Sequence, residues 1–276
     1  MSASERRGPS LEAFEALFAA HGGTDAGYLR LHWQRFRATK ALVEQSWHCP
    51  GGRVLDLGAH WLHQSLLFAR DGYRVTAADL PATMDAPNVV AVARAHDIRL
   101  VRVDDLAAPR ALHDIADDAF DLVILGEVIE HIAFNPVLLW REIHRVLVAG
   151  GMLVVTTPNY YALTRRHLQR ARVWIGGGGG IGVDEILATP THGHHWKEYA
   201  RRELVRYFTR LSPDFVLRRA LYVEDDALPG APAARRIARA LRRAVPPLRE
   251  RLHVEVELVR KSSGIALMPA WDNREA

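Results

Sequence analysis

Five short apolar runs constrain this chain more than any other feature, because four of them close on a carboxylate. RVLDLG (53–58) carries Asp56-Leu57-Gly58, YRVTAADL (73–80) ends on Asp79-Leu80, and IRLVRVDDL (98–106) ends on Asp104-Asp105-Leu106. FDLVILGEV (120–128) carries Gly126-Glu127, and MLVVTTPN (152–159) closes on Thr157-Pro158-Asn159. Runs this continuous in Val, Leu and Ile belong to strands buried on both faces. Between them LHQSLLFARDG (62–72), VVAVARAHD (89–97) and NPVLLWREIHRVLVAGG (135–151) carry helical spacing, the first and last closing on glycine. Strands alternating with helices predict an α/β fold: a doubly wound, mostly parallel sheet with helices on both faces. DFVLRRALYV (214–223) and HVEVELVRK (253–261) read as two further strands, making seven.

The flanking segments divide the rest. LEAFEALFAAH (11–21) and YLRLHWQRFRATKALVEQSW (28–47) predict an N-terminal helical segment over 1–50, ahead of an α/β core at 51–160. Residues 161–200 break the rhythm with a basic helical stretch, the run GGGGG (176–180) and THGHHWKEY (191–199). An insertion after a strand's carboxyl end, with a hinge-like glycine run, predicts a lid or substrate-binding cap. Residues 201–276 then supply the last part of the sheet, the helix RRELVRYFTRL (201–211) and the arginine-rich AARRIARALRRAVPPLRERL (233–252), broken at Pro246-Pro247.

Composition excludes some classes. With 276 residues, 49% of them hydrophobic, the chain buries one large core with an insertion. No apolar run approaches the roughly 20 residues of a membrane helix, and MSASERRGPSLEAF has no secretory apolar segment. Cys49 is the only cysteine, which removes internal disulfides and cysteine-based metal sites. The expectation is a cytoplasmic protein. The net charge of +4 can mean nucleic acid, an anionic substrate or a membrane surface, and the plainer reading, a GC-rich genome, is preferred at this point.

Open α/β sheets bind ligands beyond the carboxyl ends of their strands. A row of carboxylates there repels a pyrophosphate, and G-x-G-x-x-G is absent, which disfavours a dinucleotide. The row suits a cationic nucleoside, with acids for its ribose hydroxyls, its adenine amino group and its positive centre. VLDLGA, VTAADL, VDDL, FDLVILGEVIEHI and REIHRVLVAGGMLVVTTPN together resemble the class I S-adenosylmethionine-dependent methyltransferases, well over 50 to 160 and loosely over 190 to 225. The resemblance implies S-adenosylmethionine as cofactor. Asp56, Gly58, Ala59 and His60 would lie by its methionine part, Asp79 and Leu80 by the ribose, and Asp104 or Asp105 by the adenine. Gly126 and Glu127 would pass close to it. The family's first motif usually has glycine at the positions of His60 and Leu62. Bulkier residues there are expected to demand a different turn.

GEVIEHI (126–132) is the second constellation. If it begins a helix, Glu127, Glu130 and His131 share a face at i, i+3 and i+4. Such a cluster, joined by His195 or His194 of THGHHWKEY, has the composition of a hard-cation site for Mg²⁺. The E-x-x-E-H pattern resembles ubiquinone-pathway O-methyltransferases and small-RNA 2′-O-methyltransferases. The same pattern also occurs in metal-free methyltransferases, where the acid touches the cofactor region and the histidine orients a loop. For an alcohol acceptor, His131 is the first candidate base, with His195 and His194 behind it. Tyr160 and Tyr161 are candidates for the acceptor pocket. The leading expectation is O-methylation of a small molecule, sugar or quinone-like acceptor. An RNA-end 2′-O-methyltransferase is the alternative, supported by the basic helix but not favoured, because aromatics do not interleave with its arginines. A cofactor-free partner protein is the non-enzyme alternative.

Overall fold

A computed structural model describes residues 9–162, 183–226 and 233–268. The glycine run at 176–180, and most of the basic stretch before it, lie outside these residues, and so does the hinge of the lid expected there. Strands β1 (Arg53–Leu57), β2 (Arg74–Asp79), β3 (Arg99–Arg102), β4 (Phe120–Gly126), β5 (Leu147–Pro158), β6 (Phe215–Val223) and β7 (Arg251–Leu258) form one sheet in the order β3-β2-β1-β4-β5-β7-β6. The first five are parallel, and β7 runs antiparallel to both its neighbours. The sheet is therefore mostly parallel, as expected. The order reverses between β1 and β4, which opens a crevice over their carboxyl ends.

Alternation along the central strands fills two cores. Leu55 and Leu57 of β1, Val123 and Leu125 of β4 and Leu153 and Val155 of β5 point to one face. There they meet helices α6 (Val137–Val146) and α8 (Arg201–Leu211) through Leu139, Trp140, Ile143, Leu204 and Phe208. Val54, Leu122, Ile124 and Val154 point to the other face, covered by α1 (Leu11–Ala19), α2 (Ala26–Ser46), α3 (His63–Ala69) and α5 (Pro87–Ala95). The short helix α4 (Pro81–Met84) follows β2 directly. The side chain of Asp25 caps α2 by accepting from Tyr28 N–H at 2.8 Å, and the helix buries Leu29, Trp33, Phe36 and Val43 against the sheet. Helices α7 (Val183–Ala188) and α9 (Ala233–Ala244) complete the described α-helices.

Two boundaries differ from expectation. Helix α6 stops at Val146, not at the Gly-Gly pair, and β5 begins at Leu147. The register of β4 against β5 shifts between Phe120 and Leu122, so residues 148–151 bulge out and Gly150 takes φ +83°. Strand β3 ends at Arg102, which leaves Asp104 and Asp105 in the loop beyond it.

Candidate cofactor and active site

The turn after β1 keeps a left-handed backbone without the glycines. Gly58 has φ +84°, His60 +46° and Leu62 +65°, so the expected change of turn is not what occurs. A left-handed conformation costs a non-glycine residue roughly 1–2 kcal/mol, and the surroundings offset it. The N–H groups of Gly58 and Ala59 donate to Ala78 O at 2.8 and 3.3 Å, and His60 N–H donates to Asp79 Oδ2 at 2.7 Å. Leu62 is wholly buried in the core beneath α1 and α2, worth roughly 1.5–3 kcal/mol. The His60 ring meets Tyr28 edge-on at 4.8 Å. Packing by the N-terminal helices thus replaces glycine as the reason for the turn. His63 joins this cluster through Phe18, Tyr28 and Phe36, and burial pushes its pKa down to about 3.

Above the turn lies a narrow inner pocket, lined among others by Tyr28, Arg35, Asp56, Gly58, Ala59 and Thr156. It adjoins a cleft of about 1050 Å³, with Tyr28, Arg35, Gly58, His60 and Gly126 lining both. That cleft is lined by His60, Asp79, Leu80, Asp104, Asp105, Gly126 and Glu127, and also by Glu130, His131, Tyr160, His195 and Glu198. Every cofactor-side residue named from the sequence lines one of these two spaces. Trp61 and Leu62 line neither, so the bulky first turn leaves the crevice open.

Asp56 is buried and accepts from Ser65 Oγ at 2.6 Å. Burial, with a further contribution from the charge of Asp79, pushes its pKa up to about 6 against the Ser65 bond. The folded state then binds this proton more tightly than the unfolded chain, whose aspartate titrates near 3.9. Its destabilising contribution is absent below about pH 4 and grows as pH rises through 6. Asp56→Asn is therefore expected to stabilise the ligand-free protein by about 1–3 kcal/mol at pH 8 and by nothing at pH 4. Urea midpoints at the two pH values measure this, and equal shifts at both would contradict it.

Arg35 and Tyr28, both from α2, join the site without any mark in the local sequence. Arg35 donates to Tyr28 Oη at 3.0 Å and lies 3.8 Å from Glu127 Oε2, with only 12% of its side chain exposed. It brings a guanidinium to the end of the inner pocket, where an α-carboxylate would find its counter-charge. The helix stripe that places it is an ordinary core stripe, which is why sequence reasoning misses it.

GEVIEHI is not a helix. Only Ile129–His131 form one 3₁₀ turn, and Glu127 precedes it at φ +58°. The shared helical face expected for Glu127, Glu130 and His131 is therefore not formed. Glu127 turns toward the inner pocket, its Oε1 accepting from Thr156 Oγ1 at 2.9 Å and its N–H donating to Thr156 O. Glu130, His131 and His195 do converge, with one ligand atom of each within 4.8 Å of the others. Glu130 is fully buried and accepts from Thr157 Oγ1 at 2.9 Å, while its Oε1 has no hydrogen-bond partner. Burial, reinforced by the charge of Glu127, pushes its pKa well up. An orphaned carboxylate oxygen beside two imidazoles fits a divalent cation.

The segment 194–199 is laced onto this turn. Trp196 N–H donates to Glu130 O at 2.7 Å, Tyr160 N–H donates to Tyr199 O at 2.9 Å, and His131 Nδ1 donates to His194 O at 3.0 Å. That last bond fixes the tautomer of His131 and makes Nε2 its acceptor atom. His195 lines the cleft, its ring 4.6 Å from that of His131. His194 does not line the cleft; its ring is buried against Trp196. Tyr160 lines the cleft and Tyr161 does not.

A seven-stranded sheet in this order, with β7 reversed and an acid-lined cleft over its switch point, defines a class I methyltransferase fold. Residues 55–155 match the family model described as a methyltransferase domain. The ubiquinone biosynthesis O-methyltransferase of Xanthomonas campestris pv. campestris is 37% identical over 118 residues, 40% of this chain and 44% of that protein. Its counterpart in Xanthomonas oryzae pv. oryzae is 38% identical over 117 residues, with the same shares covered. The chain thus spans less than half the length of these curated relatives. Among solved structures, a Burkholderia thailandensis 1,6-didemethyltoxoflavin-N1-methyltransferase, with its acceptor and S-adenosylhomocysteine bound, superposes with a TM-score of 0.55 at 15% identity, over 91% of this chain and 92% of that one. An S-adenosylmethionine-dependent methyltransferase from Mesorhizobium loti gives 0.53 at 19% identity, over 82% and 97%. Over residues 55–155 the chain is similar to methyltransferase domains, and its fold is that of the class I S-adenosylmethionine-dependent methyltransferases.

Proposed function

We propose that this protein transfers a methyl group from S-adenosylmethionine to a hydroxyl of a small, quinone-like or sugar acceptor. The observation that carries this reading is a pair of adjoining cavities whose lining combines carboxylates suited to a cationic nucleoside with a histidine pair. The bound cofactor supplies an electrophilic methyl on a sulfonium centre. Arg35 holds its carboxylate, Asp79 its ribose hydroxyls, and Asp104 or Asp105 its adenine amino group. A positive centre in the inner pocket also offsets the raised pKa of Asp56, so the unfavourable carboxylate finds its charge partner in the ligand. His131 Nε2, held by the bond from Nδ1 to His194 O, takes the acceptor's proton, with His195 beside it.

Where a divalent cation is bound, Glu130, His131 and His195 would hold it, and it would lower the pKa of an acceptor hydroxyl. Glu127 belongs to the cofactor side of this arrangement. His131→Ala is expected to lower methyl transfer about 100-fold or more, with S-adenosylhomocysteine affinity unchanged. Transfer of radiolabelled methyl to catechol-type and sugar acceptors, with and without chelator, checks this. Activity lost in chelator and restored by Mg²⁺ or Mn²⁺ supports the cation. Full activity in chelator removes it and leaves His131 as base. Undiminished turnover in the variant contradicts both versions.

The RNA-end reading draws its support from the basic segment 233–252, of which Ala233–Ala244 are helical and Arg251 already belongs to β7. Arg239 and Arg242 of that helix are turned inward onto Asp226 and Glu224, which leaves them poorly placed for phosphates and favours the small acceptor.

A further inference from the structure

Helix α9 is built inside out. Its sequence separates cleanly into two faces: Ile237, Leu241 and Val245 recur at four-residue spacing with alanines around them, and the arginines occupy the opposite side. In a solvent-facing helix of a globular protein the apolar face turns inward. Here Arg239 pairs with Asp226 at 2.8 Å, and Arg242 pairs with Glu224 and Glu250 at 2.7 Å each. Arg242 is only 11% exposed, whereas Ile237 is 71% and Leu241 48% exposed. Among the described residues, the charged face holds the helix and the apolar face is left exposed.

Charge says what that face meets. Arg236 and Arg243 are exposed on the polar side of the helix, Arg243 with its guanidinium 2.6 Å from Asp226. Residues 233–252 carry seven arginines against one glutamate, so the region stays positive even with Glu224, Asp225 and Asp226 paired to it. A second copy of the chain is a poor occupant, because pairing two stripes brings two net-positive regions together. A 12-residue helix is also only about 18 Å long, too short to supply the roughly 800 Å² per partner of a stable interface. An exposed apolar stripe on a net-positive helix instead matches the boundary between acyl chains and anionic headgroups.

Position strengthens the match. The turn after α9 is joined to the cleft: Asn159 Nδ2 donates to Pro247 O and Arg249 O at 2.8 Å each, and Glu250, bound to Arg242, lines the cleft. Exposed Tyr160 and Tyr161 follow Asn159 directly, and such amphipathic rings favour the headgroup layer. We propose that α9 docks the protein on an anionic lipid bilayer through Ile237, Leu241 and Val245, with the cleft opening beside the contact. The proposal does not depend on the methyl-transfer reading.

Co-sedimentation of the full chain with extruded vesicles tests it. The expected result is binding to vesicles of mixed phosphatidylcholine and phosphatidylglycerol, weak binding to phosphatidylcholine alone, and weakening as salt rises. The Ile237→Ser/Leu241→Ser double variant should bind at least ten-fold more weakly while keeping the wild-type melting temperature, because both side chains are exposed. Arg236→Gln should weaken binding to anionic vesicles alone. No wild-type binding to anionic vesicles, or unchanged binding in the double variant, would overturn it. So would a dimer, seen by analytical ultracentrifugation, that this variant dissociates.

Discussion

Asp79→Ala is expected to leave the protein folded and to raise its dissociation constant for S-adenosylhomocysteine about 100-fold or more. Asp79 serves two partners at the end of β2. Oδ2 accepts from His60 N–H at 2.7 Å and Oδ1 from Leu80 N–H at 2.6 Å. Each oxygen keeps a second lone pair, and both face a cleft that a ribose would enter. Hydrogen bonds to a charged group contribute about 1.5–3 kcal/mol each. Losing the ribose contacts, and the anchor that holds His60 at φ +46°, therefore costs the complex roughly 3 kcal/mol or more. Asp79→Asn keeps one carbonyl acceptor and should fall between the two. Affinity in Asp79→Ala within about three-fold of wild type would mean the nucleoside does not sit over β2.

Gly58→Ala is expected to be the most destabilising single methyl group added to the first turn. A Cβ at this position would stand 2.4 Å from Val128 Cγ2, and φ +84° disfavours any side chain there. The conformational cost is about 1–2 kcal/mol and the overpacking about 1–3 kcal/mol, so a loss of roughly 2–5 kcal/mol in unfolding free energy should result. Val128→Ala in the same chain removes the collision but not the backbone cost, and should recover about half of the loss. Val128 leads straight into the turn carrying Glu130 and His131, so the single variant should also disturb the acceptor side, which the double variant restores. If Gly58→Ala unfolds at the wild-type urea midpoint, the close approach of these two strand ends is not real.

What the sequence made legible is the part that repeats. Apolar strands and intervening helices announced the parallel sheet, and the acids closing its strands fell where ligands bind: Asp56, Asp79, Asp104, Asp105 and Glu127 all line the two adjoining cavities. What stayed hidden depended on contacts across the chain. The turn at His60 and Leu62 survives without glycine because α1 and α2 pack over it, and no local pattern announces that packing. Arg35 reaches the inner pocket from 21 residues before Asp56, on a helix whose spacing speaks only of core. GEVIEHI has helical spacing, yet Gly126 is paired to Thr156 in the sheet and Glu127 turns left-handed, so the helix never starts. The choice between His194 and His195 rested on long-range bonds: Trp196 N–H donates to Glu130 O and the His131 ring Nδ1 to His194 O, which leaves His195 lining the cleft.

The claim beneath all of this is that carboxylates beyond the sheet hold a positively charged nucleoside. Isothermal titration of the wild-type protein with S-adenosylmethionine, S-adenosylhomocysteine and NAD⁺ tests it most directly. The account predicts one site with saturable heat for the first two ligands, loss of that heat in Asp79→Ala, and none for the dinucleotide, whose pyrophosphate the acids repel. Silence from both sulfur nucleosides, with no shift in melting temperature, would contradict it.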